Sequence, residues 1–240
     1  MKWTEQYKLG AAETDINSVA SPSAILRYMQ DSSNSQMLAM KPTYEELFDK
    51  GLSFVLSKIT VSMYGTLKAH DRFEGETWAC PSKGVTFNRC YRITKDGNII
   101  AEASSVWALI DVNRQKLCRV SDVELNYGED EPLELDAPTR FRIPADASLT
   151  LVGERVVEYA DCDLNGHMNN TRYPDILCSY ICKMKGVRPS KMSINFVTEA
   201  PIGCSIKIYS GFYDDAYYVR TVRDDGKVNA EAEIILEENG

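Results

Sequence analysis

Asp163, Asn165 and His167 stand at alternating positions in the run Asp161-Cys-Asp-Leu-Asn-Gly-His-Met-Asn-Asn-Thr-Arg-Tyr-Pro-Asp175, just ahead of a segment with helical periodicity. In an extended segment, alternate side chains share one face. A carboxylate, an amide and an imidazole would then converge. His167 can move a proton near neutral pH, Asp163 can orient a base or a water, and Asn165 can hold a carbonyl or a water. Free N–H groups at the following helix start can hold a developing oxyanion. The set suits hydrolysis of an acyl compound and needs no cofactor or metal. Asp and Asn are also common loop and cap residues, and a lone His is ordinarily structural. An asymmetry favours chemistry. Asp15-Ile-Asn-Ser-Val-Ala-Ser21 repeats the Asp-x-Asn pattern with Val19 where His167 stands, and the chain has only 2 histidines.

The elements that must position these residues also come in two copies. Asp96-Gly97 followed by Ala101-Glu102-Ala103 matches Asp225-Gly226 followed by Ala230-Glu231-Ala232, in the same order relative to the Asp-x-Asn loops. Matched pieces in order point to duplication. Each copy reads as a strand (6–12; 149–159), the loop, a helix and then antiparallel strands. The first helix has Ser21 as cap, Pro22 at its first position, and an apolar face of Ile25, Leu26, Met29 and Met37. The second is capped by Asn169 or Asn170, carries Ile176, Leu177, Tyr180, Ile181 and Met184, and stops at Gly186. The later strands fall near 53–64, 72–79, 85–94 and 99–112, then 191–198, 205–213, 217–223 and 228–236, with Asp-Gly hairpins closing each last pair. An insert at 41–51 holds a capping box, Thr43-x-x-Glu46. The expected fold is α+β: two tandem units, each a long helix wrapped by a curved antiparallel sheet. The expected division is 1–125, a linker at 126–148, and 149–240.

Composition narrows the function classes. The chain has 240 residues and a net charge of −8, which excludes wholesale binding to nucleic acid or an anionic membrane. No apolar run has the length of a membrane span, and the first residues have no signal-peptide character, so a cytoplasmic protein is expected. The 7 cysteines are scattered and suggest reduced, mostly buried thiols rather than a zinc site.

Asp163-Leu-Asn165-Gly-His167-Met-Asn169-Asn170-Thr-Arg-Tyr173 resembles the active-site segment of the acyl-ACP thioesterases, Asp-x-Asn-x-His-Val-Asn-Asn-x-x-Tyr. Ile194-Asn-Phe-Val-Thr-Glu199-Ala200 is similar to that family's strand ending in a catalytic Glu-Cys pair. Phe54-Val-Leu-Ser-Lys58 and Ala103-Ser-Ser-Val-Trp107-Ala-Leu-Ile-Asp111 look like its N-terminal domain. The resemblance covers nearly the whole chain. It implies a double hotdog fold and hydrolysis of fatty acyl-ACP to free fatty acid and acyl carrier protein, with Asp163, Asn165, His167 and Glu199 as the catalytic set. Ala200 replaces the family's cysteine, so water rather than a thiol at that position would attack. Cys162, beside Asp163, is expected on the opposite side of the chain. The resemblance also places the acyl pocket in the first half, with Ile25, Met29 and Phe54 as candidates. Docking of an acidic carrier would need a basic island, for which Arg172, Lys183, Lys185 and Arg188 are candidates. The alternatives are an acyl-CoA thioesterase and a non-catalytic acyl-binding module. The oligomer would be a monomer or homodimer.

Overall fold

The computed structural model describes residues 1–135, 142–182 and 184–238. The first half contains β1 (Trp3–Lys8), α1 (Pro22–Ala39), α2 (Tyr44–Asp49), β2 (Leu52–Met63), β3 (Arg72–Lys83), β4 (Thr86–Lys95), β5 (Asn98–Asp111) and the short β6 (Lys116–Leu117). The second contains β7 (Thr150–Val156), α3 (Tyr173–Ile181), β8 (Val187–Phe196), β9 (Ser205–Tyr213), β10 (Ala216–Arg223) and β11 (Val228–Glu238). All the strands join one antiparallel sheet in the order β1-β3-β4-β5-β2-β8-β11-β10-β9-β7, with β6 paired to β5. The order reads the same from both ends when each strand is replaced by its counterpart in the other half. This is the duplication seen in the sequence, expressed as a pseudo-two-fold. Two hotdog-like α+β units sit side by side in one sheet.

The pseudo-two-fold passes through the β2–β8 seam. Lys58 pairs with Asn195 and Ser62 with Lys191, centred on Thr60 and Ser193. The hydroxyls of that central pair meet at 3.0 Å, and both residues are buried. Each partner supplies the other with the bond that burial would otherwise deny it. β2 is bulged between Leu56 and Lys58, and β8 between Pro189 and Lys191, so the two strands bend at equivalent places. An ion pair repeats as well. Arg92 bonds Glu102 at 2.7 Å across β4 and β5, and Arg220 bonds Glu231 at 2.8 Å across β10 and β11.

The helices break the symmetry. α1 has 18 residues and α3 only 9. The second helix was expected to run past Met184 to Gly186. It ends at Ile181, Met184 is exposed, and the Gly186 N–H donates to Asn17 Oδ1 of the first half at 2.7 Å. Gly186 therefore fastens one half to the other instead of closing a helix. Asn169 caps a short 3-10 turn, Asn170–Arg172, that leads into α3.

α1 keeps Ile25, Leu26 and Met29 in the core, as its apolar spacing requires, but Met37 is only half-buried. Its place on the inner face is taken by Ser32, Ser33 and Gln36. The reason lies on the facing strand. Arg89 Nη1 donates to Gln36 Oε1 at 2.5 Å and to Thr77 Oγ1 at 3.1 Å, and Ser33 Oγ meets the Tyr91 hydroxyl at 3.1 Å. A buried guanidinium needs such acceptors. The helix starts meet near the pseudo-axis. The Asp175 carboxylate accepts from Ser23 N–H and from Ser21 Oγ–H, each at 2.9 Å, so α3 caps α1. Among the described residues no helix is long and apolar enough to cross a membrane.

Candidate active site

The Asp163–His167 segment is a tight turn rather than the extended run expected from alternation. Asp163 Oδ1 accepts from Asn165 N–H at 2.8 Å, Gly166 N–H donates to Asp163 C=O at 3.0 Å, and Asp163 N–H donates to His167 C=O at 3.0 Å. Gly166 has φ 74 with open space around it, so its backbone angle, not crowding, calls for glycine. Two further bonds zip this turn to the segment after β8. Met168 N–H donates to Ala200 C=O at 2.8 Å, and Ile202 N–H donates to Gly166 C=O at 3.0 Å. Arg223 Nη1 pins the Glu199 carbonyl at 2.8 Å. The outcome is His167 Nδ1 at 3.4 Å from Glu199 Oε2, with the histidine side chain 33% and the glutamate 62% exposed. That separation is long for a finished hydrogen bond. Catalytic contacts commonly tighten only when substrate is bound.

The first half folds the same turn without the chemistry. Asp15 Oδ1 accepts from Asn17 N–H at 2.8 Å, Ser18 N–H donates to Asp15 C=O at 3.0 Å, and Asp15 N–H donates to Val19 C=O at 2.8 Å. Ala20 N–H donates to Leu67 C=O at 2.8 Å, as Met168 does to Ala200. This last bond aligns Thr66 with Glu199. The sequence concealed that match, because Gly65-Thr66-Leu67-Lys68 shares nothing with Thr198-Glu199-Ala200-Pro201. The first half therefore lacks both the histidine and the glutamate. Its Asn17 amide is also consumed. Nδ2 donates to Val187 C=O at 3.0 Å while Oδ1 accepts from Gly186 N–H. The exposed side-chain amide of Asn165 has no hydrogen bond among the described residues.

Several expectations change with the geometry. Two of the helix-start amides are already engaged. Thr171 N–H donates to Asn169 Oδ1 and Asp175 N–H to Ser23 Oγ. The Asn165 side-chain amide is an unoccupied donor in the turn that carries His167. Cys162 lines a cleft of about 700 Å³ with Asp15, Asn17, Arg27, Arg172 and Met184, a cleft whose lining includes neither His167 nor Glu199. Desolvation and the Asp161 and Asp163 carboxylates push its thiol up. Ala200 is buried and puts no thiol in the site.

The candidate binding residues also sort out. Ile25 and Met29 are packed in the main core. Ile25 borders a void of about 20 Å³ shared with Val19 and Thr66, room for about one water. Phe54 is half-buried and meets Phe87 edge-on at 5.3 Å. Arg188 is spoken for within the fold, since Nη1 donates to Gly65 C=O at 2.7 Å and Nη2 lies 2.5 Å from Glu237. Lys185 is exposed but precedes Gly186, so it stands beside the turn that has no histidine. Arg172 is exposed and donates to Ala160 C=O at 2.8 Å. Lys183 lies outside the described residues.

Two family profiles match the chain in turn. The profile for the acyl-ACP thioesterase N-terminal domain matches residues 1–126, and that for the C-terminal domain matches residues 150–238. The chain is 25% identical over 198 residues to a chloroplastic oleoyl-acyl carrier protein thioesterase of Coriandrum sativum, covering 72% of this chain and 52% of that protein. It thus spans about half the length of the curated relative. In fold it is similar to an acyl-ACP thioesterase of Bacteroides thetaiotaomicron (TM-score 0.88, 20% identity, 98% of each chain). It is also similar in fold to the 12:0-ACP thioesterase of Umbellularia californica (TM-score 0.84, 13% identity, 99% of this chain and 97% of that one).

Proposed function

This chain belongs to the acyl-ACP thioesterase family, and from that premise we propose that it hydrolyses the thioester of a fatty acyl group carried on acyl carrier protein. Water adds to the thioester carbonyl, the carbon–sulfur bond breaks, and free fatty acid and carrier thiol leave. The observation that carries this reading is the His167–Glu199 pair at 3.4 Å, found beside a free Asn165 amide in one half and replaced by Val19 and Thr66 in the other. His167 turns Nδ1 to Glu199, which leaves Nε2 to take a proton from the attacking water and return it to the leaving sulfur. Glu199 positions the imidazole and stabilises its charged form. Asn165 Nδ2 holds the carbonyl oxygen as charge gathers there. Asp163 builds the turn. The acyl tail starts over Phe54 and Phe87, and Arg172 offers positive charge to an acidic carrier.

The test is release of free thiol from one acyl group presented on acyl carrier protein and on CoA. Faster turnover on the carrier is expected. Preference for CoA would redirect the reading to an acyl-CoA thioesterase, and no thiol release from either would leave only a binding role.

A further inference from the structure

The two Asp-x-Asn turns end differently, and the difference exposes a strand edge beside the catalytic turn. β2 and β8 pair with each other only over residues 58–62 of β2. Ahead of that seam each strand has an edge with no strand against it among the described residues: 52–57 in β2 and 187–190 in β8. On β8 this edge is filled. The Asn17 carboxamide lies against it like a peptide group, donating to Val187 C=O at 3.0 Å and accepting from Gly186 N–H at 2.7 Å. The pseudo-axis at Thr60 and Ser193 and the matched bulges carry Gly186 onto Ser53, Val187 onto Phe54, and Asn17 onto Asn165. At this second corner the bond is not made. Asn165 leaves the edge open. Ser53 turns its N–H and C=O to Ile110 of β5, so the groups facing the edge here are those of Phe54, the counterpart of Val187, while Gly186 lies outside β8 at φ 92 and turns its N–H to Asn17.

We propose that the open edge of β2, where the main-chain groups of Leu52 and Phe54 face outward, binds the amide groups of the substrate's pantetheine arm, which lies along it as a short added strand with its thioester at Asn165 and His167. The fold itself shows which chemistry fits, because a carboxamide occupies the equivalent edge of the other half. The pantetheine arm carries two amides in line with the thiol, each able to donate and accept as Asn17 does. Strand addition of this kind takes its affinity from main-chain hydrogen bonds. It would hold a carrier-borne acyl group without a large basic surface, in keeping with a chain of net charge −8. This inference rests on the proposed hydrolysis and concerns the arm alone.

The experiment compares one acyl group as the thioester of pantetheine, of N-acetylcysteamine and of a simple alkanethiol, which carry two amides, one and none. kcat/KM is expected to fall about fivefold for each amide removed, the yield of one ordinary hydrogen bond. Asn17→Ala, which frees the opposite edge, should leave these ratios unchanged. In parallel, backbone hydrogen exchange of residues 51–57 should slow when a non-hydrolysable acyl-pantetheine thioether is added, and not when the free fatty acid is added. Equal kcat/KM on the three thioesters overturns the proposal. So does an amide dependence with unaltered exchange at 51–57, which would place the arm elsewhere. Failure of the functional reading looks different, because acyl-ACP itself would then not be cleaved.

Discussion

Asp15 and Asp163 accept the same backbone N–H in the same turn, and only one of those turns carries a histidine. An aspartate kept in the copy without chemistry is explained by the turn. The turn needs an acceptor there and not a charge. Asp163→Asn should therefore retain activity within about tenfold, since an asparagine oxygen can accept the Asn165 N–H, whereas Asp163→Ala should lose far more. Equal losses in steady-state thiol release would return Asp163 to a charged role. The same scale decides the thiol question. Cys162 borders the wrong cleft and its thiol is pushed up by desolvation and two carboxylates. Cys162→Ser should keep most of the activity and thiol-blocking reagents should inhibit weakly. An acyl group trapped on any cysteine, detected by intact-protein mass spectrometry, would contradict this. At this scale the motif was legible in the sequence because Asp163, Asn165, His167 and Glu199 are all present as types. Their roles were not. The bonds that zip the Asp163 turn to the segment after β8 and the Arg223 strap on Glu199 join segments far apart in the chain.

At the scale of elements, the strands and the start of α1 were readable because period-two and capping signals are local. α1 begins where Ser21 and Pro22 predict, and β9 spans Ser205–Tyr213 as its pattern predicts. The end of α3 was not readable. Its helical pattern continues to Met184, but Gly186 is taken by Asn17, a partner 169 residues away. The buried polar face of α1 was hidden for the same reason, since Gln36 makes sense only opposite Arg89. The most testable inter-element bond is the Asp175 cap on α1. Asp175→Ala removes a carboxylate that accepts from Ser21 and Ser23, and should cost about 1–2 kcal/mol of folding stability. Urea denaturation measures this. A midpoint unchanged from wild type would show that the two helix starts do not support each other.

For the whole molecule, duplication followed by divergence explains why one sheet with a pseudo-two-fold carries His167 and Glu199 at one turn and Val19 and Thr66 at the other. The repeat was legible from Asp-x-Asn and the Ala-Glu-Ala pieces. The alignment of Thr66 with Glu199, and the contrast between Asn17 and Asn165, needed the assembled sheet. The division also predicts how variants separate. Phe54→Ala should alter which acyl length is favoured, because each methylene that gains or loses a contact is worth about 0.8 kcal/mol. Met29→Ala, in the packed core, should lower stability by about 2–5 kcal/mol with the length profile retained. Fatty acid products resolved by gas chromatography read both. A profile that shifts for Met29→Ala and not for Phe54→Ala would move the tail into the core beneath α1.

The central claim is that equivalent turns in the two halves differ in chemistry and not in fold. His167→Ala and Val19→Ala compare them at the same position in each turn, with acyl-ACP turnover measured on folded protein. His167→Ala should lower kcat by at least about a hundredfold, the ordinary loss for an acid–base group. Val19→Ala should keep kcat near wild type, with only a packing cost to stability. Near-normal turnover in folded His167→Ala, or a comparable loss in folded Val19→Ala, would contradict the account.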